Sequence, residues 1–379
     1  MKAKPILVIF GGIAPEHEVS VVTGLQALEK VDRARYEPHA VYMDKKGTLS
    51  YLPSLTDRYG FGAARRVAAT FGRDAEGGYM RAGGTFGTTV RPYGALLAFH
   101  GGVGESGGVQ GLLESVGIPH TGSSVEGAVI AMNKKLTKQA VLPAGVPVLK
   151  DVTFFAPEVK ADTGSCAKSA ISALGLPAIV KPVHLGSSIG IKVVKTEVEL
   201  QKALLEAGSM DAEILVEPFL DGITEYNCAV RERADGSLEA SEVERPLGSD
   251  EILSFADKYA RGGKKQGSGM ASLSRELPAK VAPEKKREIQ ELAQRTYRAA
   301  RLAGMARLDF MQSNTGALYL TEINPIPGSL AFYLWEAAGI PFTTQITDAI
   351  ETAVARVERE GGRTLEYQSD IIERFTNKK

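Results

Sequence analysis

Residues 4–20, KPILVIFGGIAPEHEVS, decide the fold class. Ile6 through Phe10 is a short unbroken apolar run, the mark of a strand covered on both faces. Gly11 and Gly12 end it, and a helical pattern follows over about 18–29. A strand, a glycine turn and a helix in that order open a parallel sheet, whose ligands gather at the carboxyl ends of its strands. Outward from there, 36–43 reads as a second strand, 94–99 as a third and 108–116 as a helix. The stretch 59–89, rich in glycine and arginine, carries no period that assigns it.

Residues 125–144 have a helical pattern, with Pro143 near its end. A shift in composition then starts a second unit. Strands are expected at 178–183 and 189–194 around the loop 184–188, which reads as a hairpin, and again at 214–218 and 226–231. The segment 261–274 is rich in glycine, lysine and serine and reads as a mobile loop. A long amphipathic helix is expected over 282–304, then a strand pair at 306–312 and 317–323 around a turn at 313–316.

A chain of 379 residues exceeds the usual single domain, and 44% apolar with 24% charged residues is ordinary globular composition. Lys plus Arg equals Asp plus Glu, 45 each, so net field points to neither nucleic acid nor a membrane surface. Only two cysteines occur, Cys166 and Cys228, in no CxxC pair, which argues against a disulfide framework or a thiolate metal site and fits a reducing cytoplasm. The apolar run near the start is too short for a secretory leader, and no run approaches a membrane span.

Four clusters carry chemistry. The first is Arg307 and Asp309 with Glu322 and Asn324. If the two segments pair, alternation sets each couple on one face, and two carboxylates with an amide oxygen suit a hard cation such as magnesium. A solvated face with cross-strand ion pairs is the plainer reading; the apolar flanks Ala306, Leu308, Phe310, Leu320 and Ile323 argue for a site. The second is Lys181 ahead of Gly186, Ser187 and Ser188, which can hold phosphate by charge and backbone N–H groups, or be mere turn chemistry. Lys134, at the start of a helical segment, is by default a surface lysine. The third is Glu16, His17, Glu18 and Ser20 after the glycine turn, fit for an ammonium group or for helix capping. The fourth is His100 opening the loop GGVGE.

Taken together, the motifs GGIAPEHEVS, HGGVGESGGVQGLLESVGIPHTGS, MNKKLTK, VKPVHLGSSIGI, ARLDF and EINPIPGS resemble the D-alanine–D-alanine ligases of the ATP-grasp superfamily, over residues 4–355. The resemblance implies an α/β, three-domain ATP-grasp architecture: an N-terminal parallel-sheet domain (1–124), then two α+β domains sandwiching ATP (125–215 and 216–357), and a tail (358–379). It implies that Glu16 holds the first substrate's ammonium group, beside Ser20 and His100. Lys134, Lys181, Ser187 and Ser188 would serve the ATP phosphates, Glu217, Phe219 and Leu220 the adenine, and Glu225 the ribose. Ser187, Glu225 and Tyr259 match a trio that closes a lid, expected at 254–274. Arg307 would stabilise developing charge, and Gly328 matches an oxyanion-binding glycine. Asp309, Glu322 and Asn324 would bind two magnesium ions, or manganese, with Glu322 bridging. Ser329 and Leu330 match the site of the second substrate's carboxylate.

The activity so implied is joining of two D-alanines through an acyl phosphate, by a cytoplasmic homodimer with no nucleic-acid or membrane partner. Departures from the family pattern are a shortened segment after Gly328, a Lys- and Gly-rich loop after Tyr259, an extra residue before Glu225, and Asn133 where aspartate is common. An alternative keeps the ATP chemistry with D-lactate, D-serine or another amine as acceptor. A silent nucleotide-binding module needs fewer charge-neutralising groups than are present, and GxGxxG, expected of a nicotinamide enzyme, is missing after the first strand.

Overall fold

A computed structural model describes residues 2–84, 87–247, 275–361 and 369–376. They build three sheets, each with its own hydrophobic core. The first contains β1 (Lys4–Gly11), β2 (Tyr36–Met43), β3 (Leu49–Leu52), β4 (Val67–Asp74), β5 (Gly77–Ala82), β6 (Thr88–Val90) and β7 (Gly94–Phe99). Its order is β6-β5-β4-β3-β2-β1-β7. β1 pairs in parallel with β2 and β7, as expected for the opening unit. Ile6, Leu7, Val8, Ile9 and Phe10 are fully buried, because the sheet is covered on both faces here. The helix His17–Lys30 lies directly on this strand, and Gly24 permits it: a Cβ there would come within 2.3 Å of the Phe10 ring.

The strand at 94–99 is thus seventh in the chain and not third. The unassigned stretch supplies most of the intervening strands, an antiparallel extension to the edge of the sheet.

The second sheet holds β8 (Val152–Phe155), β9 (Ala178–Pro182), β10 (Lys192–Val194) and β11 (Glu213–Pro218) in the order β10-β9-β11-β8. The antiparallel pairing of β9 and β10 bears out the hairpin, with a longer connection than expected. The third sheet holds β12 (Thr224–Glu232), β13 (Leu238–Pro246), β14 (Arg275–Glu276), β15 (Met305–Gln312) and β16 (Leu318–Asn324) in the order β14-β13-β12-β15-β16. The amphipathic helix Pro283–Ala299 packs Ile289, Ala293 and Tyr297 against it.

The cores do not follow the expected boundaries. The segment 125–141 forms two helices, Val125–Met132 and Lys134–Val141, broken at Asn133, whose side chain accepts the Leu136 N–H. Ala131 and Val141 pack into the core of the third sheet. Residues after β16 return to the first sheet, where Trp335, Ile346 and Ile350 are fully or almost fully buried. This return places the ends of β15 and β16 opposite the carboxyl ends of β1 and β7.

Candidate active site

A cavity of about 330 Å³ opens where the three sheets meet, within the size range of small-molecule sites. Lys134, Lys181, Glu217, Arg307, Asp309, Glu322 and Asn324 all line it. Lys181 comes from β9 and Glu217 from its antiparallel neighbour β11; their side chains meet at 2.6 Å. Lys138 pairs with the other Glu217 oxygen. Burial pushes the Glu217 pKa up, but the two lysines outweigh it and hold the carboxyl at about 2. Lys134 donates to the Leu185 carbonyl at 2.6 Å, and Asn133 meets His184 at 3.0 Å. Both contacts tether the loop 184–188, where Ser187 and Ser188 adopt left-handed φ angles of 56° and 61°. Such angles cost about 1–2 kcal/mol each and persist where surroundings over-determine them.

On the opposite wall, β15 and β16 pair Arg307 with Asn324 and Asp309 with Glu322. Arg307 makes a two-pronged contact with Asp309 at 2.7 Å per bond, and Asn324 reaches the same carboxylate at 3.0 Å. Burial disfavours the Arg307 charge, but Asp309 and Tyr333 outweigh it and its pKa lies well above the ordinary value. Two carboxylates and an amide, all capable of oxygen donation, form a donor set that fits a hard divalent cation needing further oxygens from water or phosphate.

At the third wall, Glu16 is buried against two glycines: a Cβ on Gly101 would lie 2.5 Å from its Oε2, and one on Gly186 3.3 Å from its Oε1. Gly101 also needs its φ of 68°. Phe219, Leu220, Ser187, Ser188, Glu225 and Gly328 line the same cavity, Glu225 from an exposed position. His100 lines it too, but its Nε2 meets the Thr23 hydroxyl at 2.8 Å, and burial lowers its pKa to about 4.

Three expected contacts are placed elsewhere. Ser20 is fully buried, accepting the Gly11 N–H at 2.8 Å and donating to the Ala98 carbonyl at 2.7 Å, so its hydroxyl ties two strand ends together. Ser329 and Leu330 do not line the main cavity. The chain leaves Gly328 through consecutive left-handed residues, Ser329, Leu330 and Ala331, which turn it straight into the helix Phe332–Ala337. Leu330 instead faces a small separate cavity beside Leu96 and Met305. Tyr259 and the lid expected at 254–274 lie outside the described residues.

Other residues of the site carry signals that alternation and helical spacing could have supplied. Asn227, in the lining, stands two residues after Glu225 on β12, and Lys138, behind the lining on Glu217, one helical turn after Lys134. Glu105 closes the quoted loop after His100; burial pushes its carboxyl up to about 8, with Glu16 and Glu322 adding to that effect.

The family model described as D-ala D-ala ligase N-terminus matches residues 5–123, and that described as D-ala D-ala ligase C-terminus matches 141–351. A D-alanine–D-alanine ligase of Thermoanaerobacter sp. (strain X514) is 34% identical over 374 residues, covering 93% of this chain and 97% of the relative. One from Thermosipho africanus is 31% identical over 369 residues, covering 96% and 97%. Among solved structures, the D-alanine–D-alanine ligase from Coxiella burnetii has a TM-score of 0.79 at 23% identity, covering 99% of both chains. The VanG D-Ala:D-Ser ligase from Enterococcus faecalis has a TM-score of 0.78 at 24% identity, covering 93% of this chain and all of that one. At such identities these two likenesses speak for the fold alone, the ATP-grasp fold.

Proposed function

The chain belongs to the D-alanine–D-alanine ligase family, and from that premise we propose that it joins two D-alanines to D-alanyl-D-alanine, driven by ATP through an acyl phosphate, for peptidoglycan precursor synthesis. The observation that carries the reading is the meeting of Lys181, Arg307 and Glu322 in one cavity. Phosphoryl transfer asks a protein mainly for positioning and for cancellation of negative charge, and these groups supply both.

In this reading Glu16 holds the ammonium group of the first D-alanine, whose carboxylate attacks the γ-phosphate and releases ADP. Lys134 and Lys181 cancel phosphate charge from one wall. Lys181 exchanges its Glu217 partner for a phosphate oxygen, while Lys138 stays on Glu217 and keeps it ionised. Glu217, Phe219 and Leu220 border the adenine, Glu225 the ribose, and Ser187 and Ser188 the phosphates. Asp309, Glu322 and Asn324 would hold magnesium or manganese ions, whose charge would neutralise the terminal phosphates. Arg307 and the Gly328 N–H face the oxygen that gains charge when the second D-alanine's amine attacks the acyl carbon. That amine loses its proton, phosphate leaves, and the peptide bond remains. The acyl phosphate must be kept from water, a task we assign to Ser187, Glu225 and Tyr259.

Unpaired Cys166 and Cys228 accord with a cytoplasmic location, and a homodimeric assembly goes with the family reading. Among the described residues no helix is long and apolar enough to cross a membrane. A second reading changes the acceptor to D-serine, D-lactate or another amine. It is favoured by one observation, that Ser329 and Leu330, expected at the second substrate's carboxylate, are turned away from the cavity. The test is phosphate release and product analysis with ATP, magnesium and D-alanine, set against L-alanine, D-serine and D-lactate. Dipeptide from D-alanine is expected. Phosphate release only with another acceptor selects the second reading.

A further inference from the structure

Side chains of the first sheet's unit grip the backbone on both sides of Gly328. On one side, the Ile326 N–H donates to Glu105 Oε1 at 3.1 Å, while Oε2 of the same carboxyl group accepts the Gly101 N–H at 2.6 Å. On the other side, the Ser329 N–H donates to the Thr23 hydroxyl oxygen at 3.0 Å. That hydroxyl meets His100 Nε2 at 2.8 Å. A hydroxyl can donate and accept at once, so the Thr23 oxygen accepts from Ser329 while its proton is free to go to the ring nitrogen of a neutral His100.

Thr23, His100, Glu105, Ile326 and Ser329 are all buried, and Thr23 is wholly so. The segment it holds is strained. Ser329, Leu330 and Ala331 have φ angles of 51°, 53° and 49°, a conformation L-residues keep only where neighbours enforce it. The same frame carries the substrate end of the cavity, because Gly101, bonded to Glu105, is the glycine against which the Glu16 carboxylate packs.

We propose that Thr23, His100 and Glu105 are positioning residues for acyl transfer: from the unit that carries Glu16 they fix the direction of the Gly328 N–H, so that ammonium anchor and oxyanion donor share one frame. The inference rests on the ligase reading and on Gly328 as the oxyanion donor. It changes the part expected of His100, which acts through Thr23.

The test compares Thr23→Val, Thr23→Ser and Glu105→Gln with the wild type. Valine keeps the size of threonine and removes the acceptor; serine restores it; glutamine keeps the size of glutamate and loses one of two acceptors. A small misplacement of a reacting group lowers turnover by up to about 100-fold. Dipeptide kcat is therefore expected to fall about 10- to 100-fold in Thr23→Val and Glu105→Gln. The KM for ATP should stay within about twofold, and phosphate released per dipeptide should rise above one as acyl phosphate is lost to water. Thr23→Ser should recover most of the rate. Unchanged kcat in both variants, or a loss confined to the KM for ATP, overturns the proposal. Should Thr23→Val melt below the assay temperature, Glu105→Gln alone decides by the same readouts. A wild type that forms no dipeptide sinks the ligase reading; a dipeptide-forming wild type with unaffected variants sinks only the positioning role.

Discussion

The Lys181 ammonium lies 2.6 Å from the Glu217 carboxylate, inside the cavity and within a buried triad completed by Lys138. Glu217→Gln would leave Lys181 without its counter-charge and Lys138 with only Asp151, at 3.5 Å, and breaking a buried pair is strongly destabilising. The folded carboxyl sits at about 2 against an ordinary value of 4.5. A depressed carboxylate pKa contributes stability above the unfolded value and loses it as pH falls through the folded one. Wild type should therefore exceed Glu217→Gln by about 3 kcal/mol at pH 7 and by roughly half that at pH 3. Urea denaturation at both pH values measures it; a difference independent of pH would contradict the assignment.

Arg307→Ala should lower kcat by about 100- to 1000-fold while the KM for ATP changes only a few-fold, since the guanidinium contact strengthens as charge develops. Asp309 also loses its two-pronged partner in that variant. Arg307→Lys separates the effects, keeping charge without the fork. Equal changes in kcat and in ATP affinity would remove the transition-state role.

Glu322→Gln should abolish turnover, at least about 100-fold, because an amide is a poorer ligand for a hard cation than a carboxylate. Raising magnesium should recover part of the rate, and nucleotide binding without metal should be unchanged. Near-normal turnover at low magnesium would refute the metal assignment.

What the sequence made legible follows from burial. β1 and β7 read clearly because each carries an unbroken buried apolar run, and β2 because its second half, Ala40 to Met43, does. β4 to β6 did not, because an edge extension half open to water buries only scattered residues such as Ala69, Met80 and Val90 among its glycines and arginines. The couples Arg307–Asp309 and Glu322–Asn324 were readable from the two-residue period of a strand pair. Spacing is silent on how a chain turns. The left-handed run at Ser329 to Ala331 took Ser329 and Leu330 out of the cavity, and the inward rotation of Ser20 turned a supposed contact into a tie between strands. Glu105 and Lys138 lay inside quoted motifs, yet their partners, Ile326 and Glu217, are remote in sequence and only the fold brings them near.

The last prediction concerns the return of the chain to its first sheet. Glu351, on the helix Phe342–Gly361, accepts from the Tyr36 hydroxyl at 2.5 Å, the Tyr93 hydroxyl at 2.7 Å and the Arg35 guanidinium at 2.8 Å. Burial raises its pKa, but the two phenols outweigh this and hold it below the usual range. Burial, and then Glu351, raise the pKa of Tyr36 in turn. Glu351→Gln should destabilise the fold by about 1–2 kcal/mol at neutral pH, lowering Tm by about 2–4 °C. The sign differs at the two ends of the pH scale. As pH falls through the carboxylate range wild type loses the advantage, because its ionised acceptor is titrated. As pH rises past about 10, a phenol whose folded pKa is raised withdraws its contribution, because the unfolded chain ionises first. Glu351 does not line the cavity, so kcat below the melting range should be unchanged. A variant with wild-type Tm, or one that loses activity while still folded, would show that this contact does not secure the return of the chain.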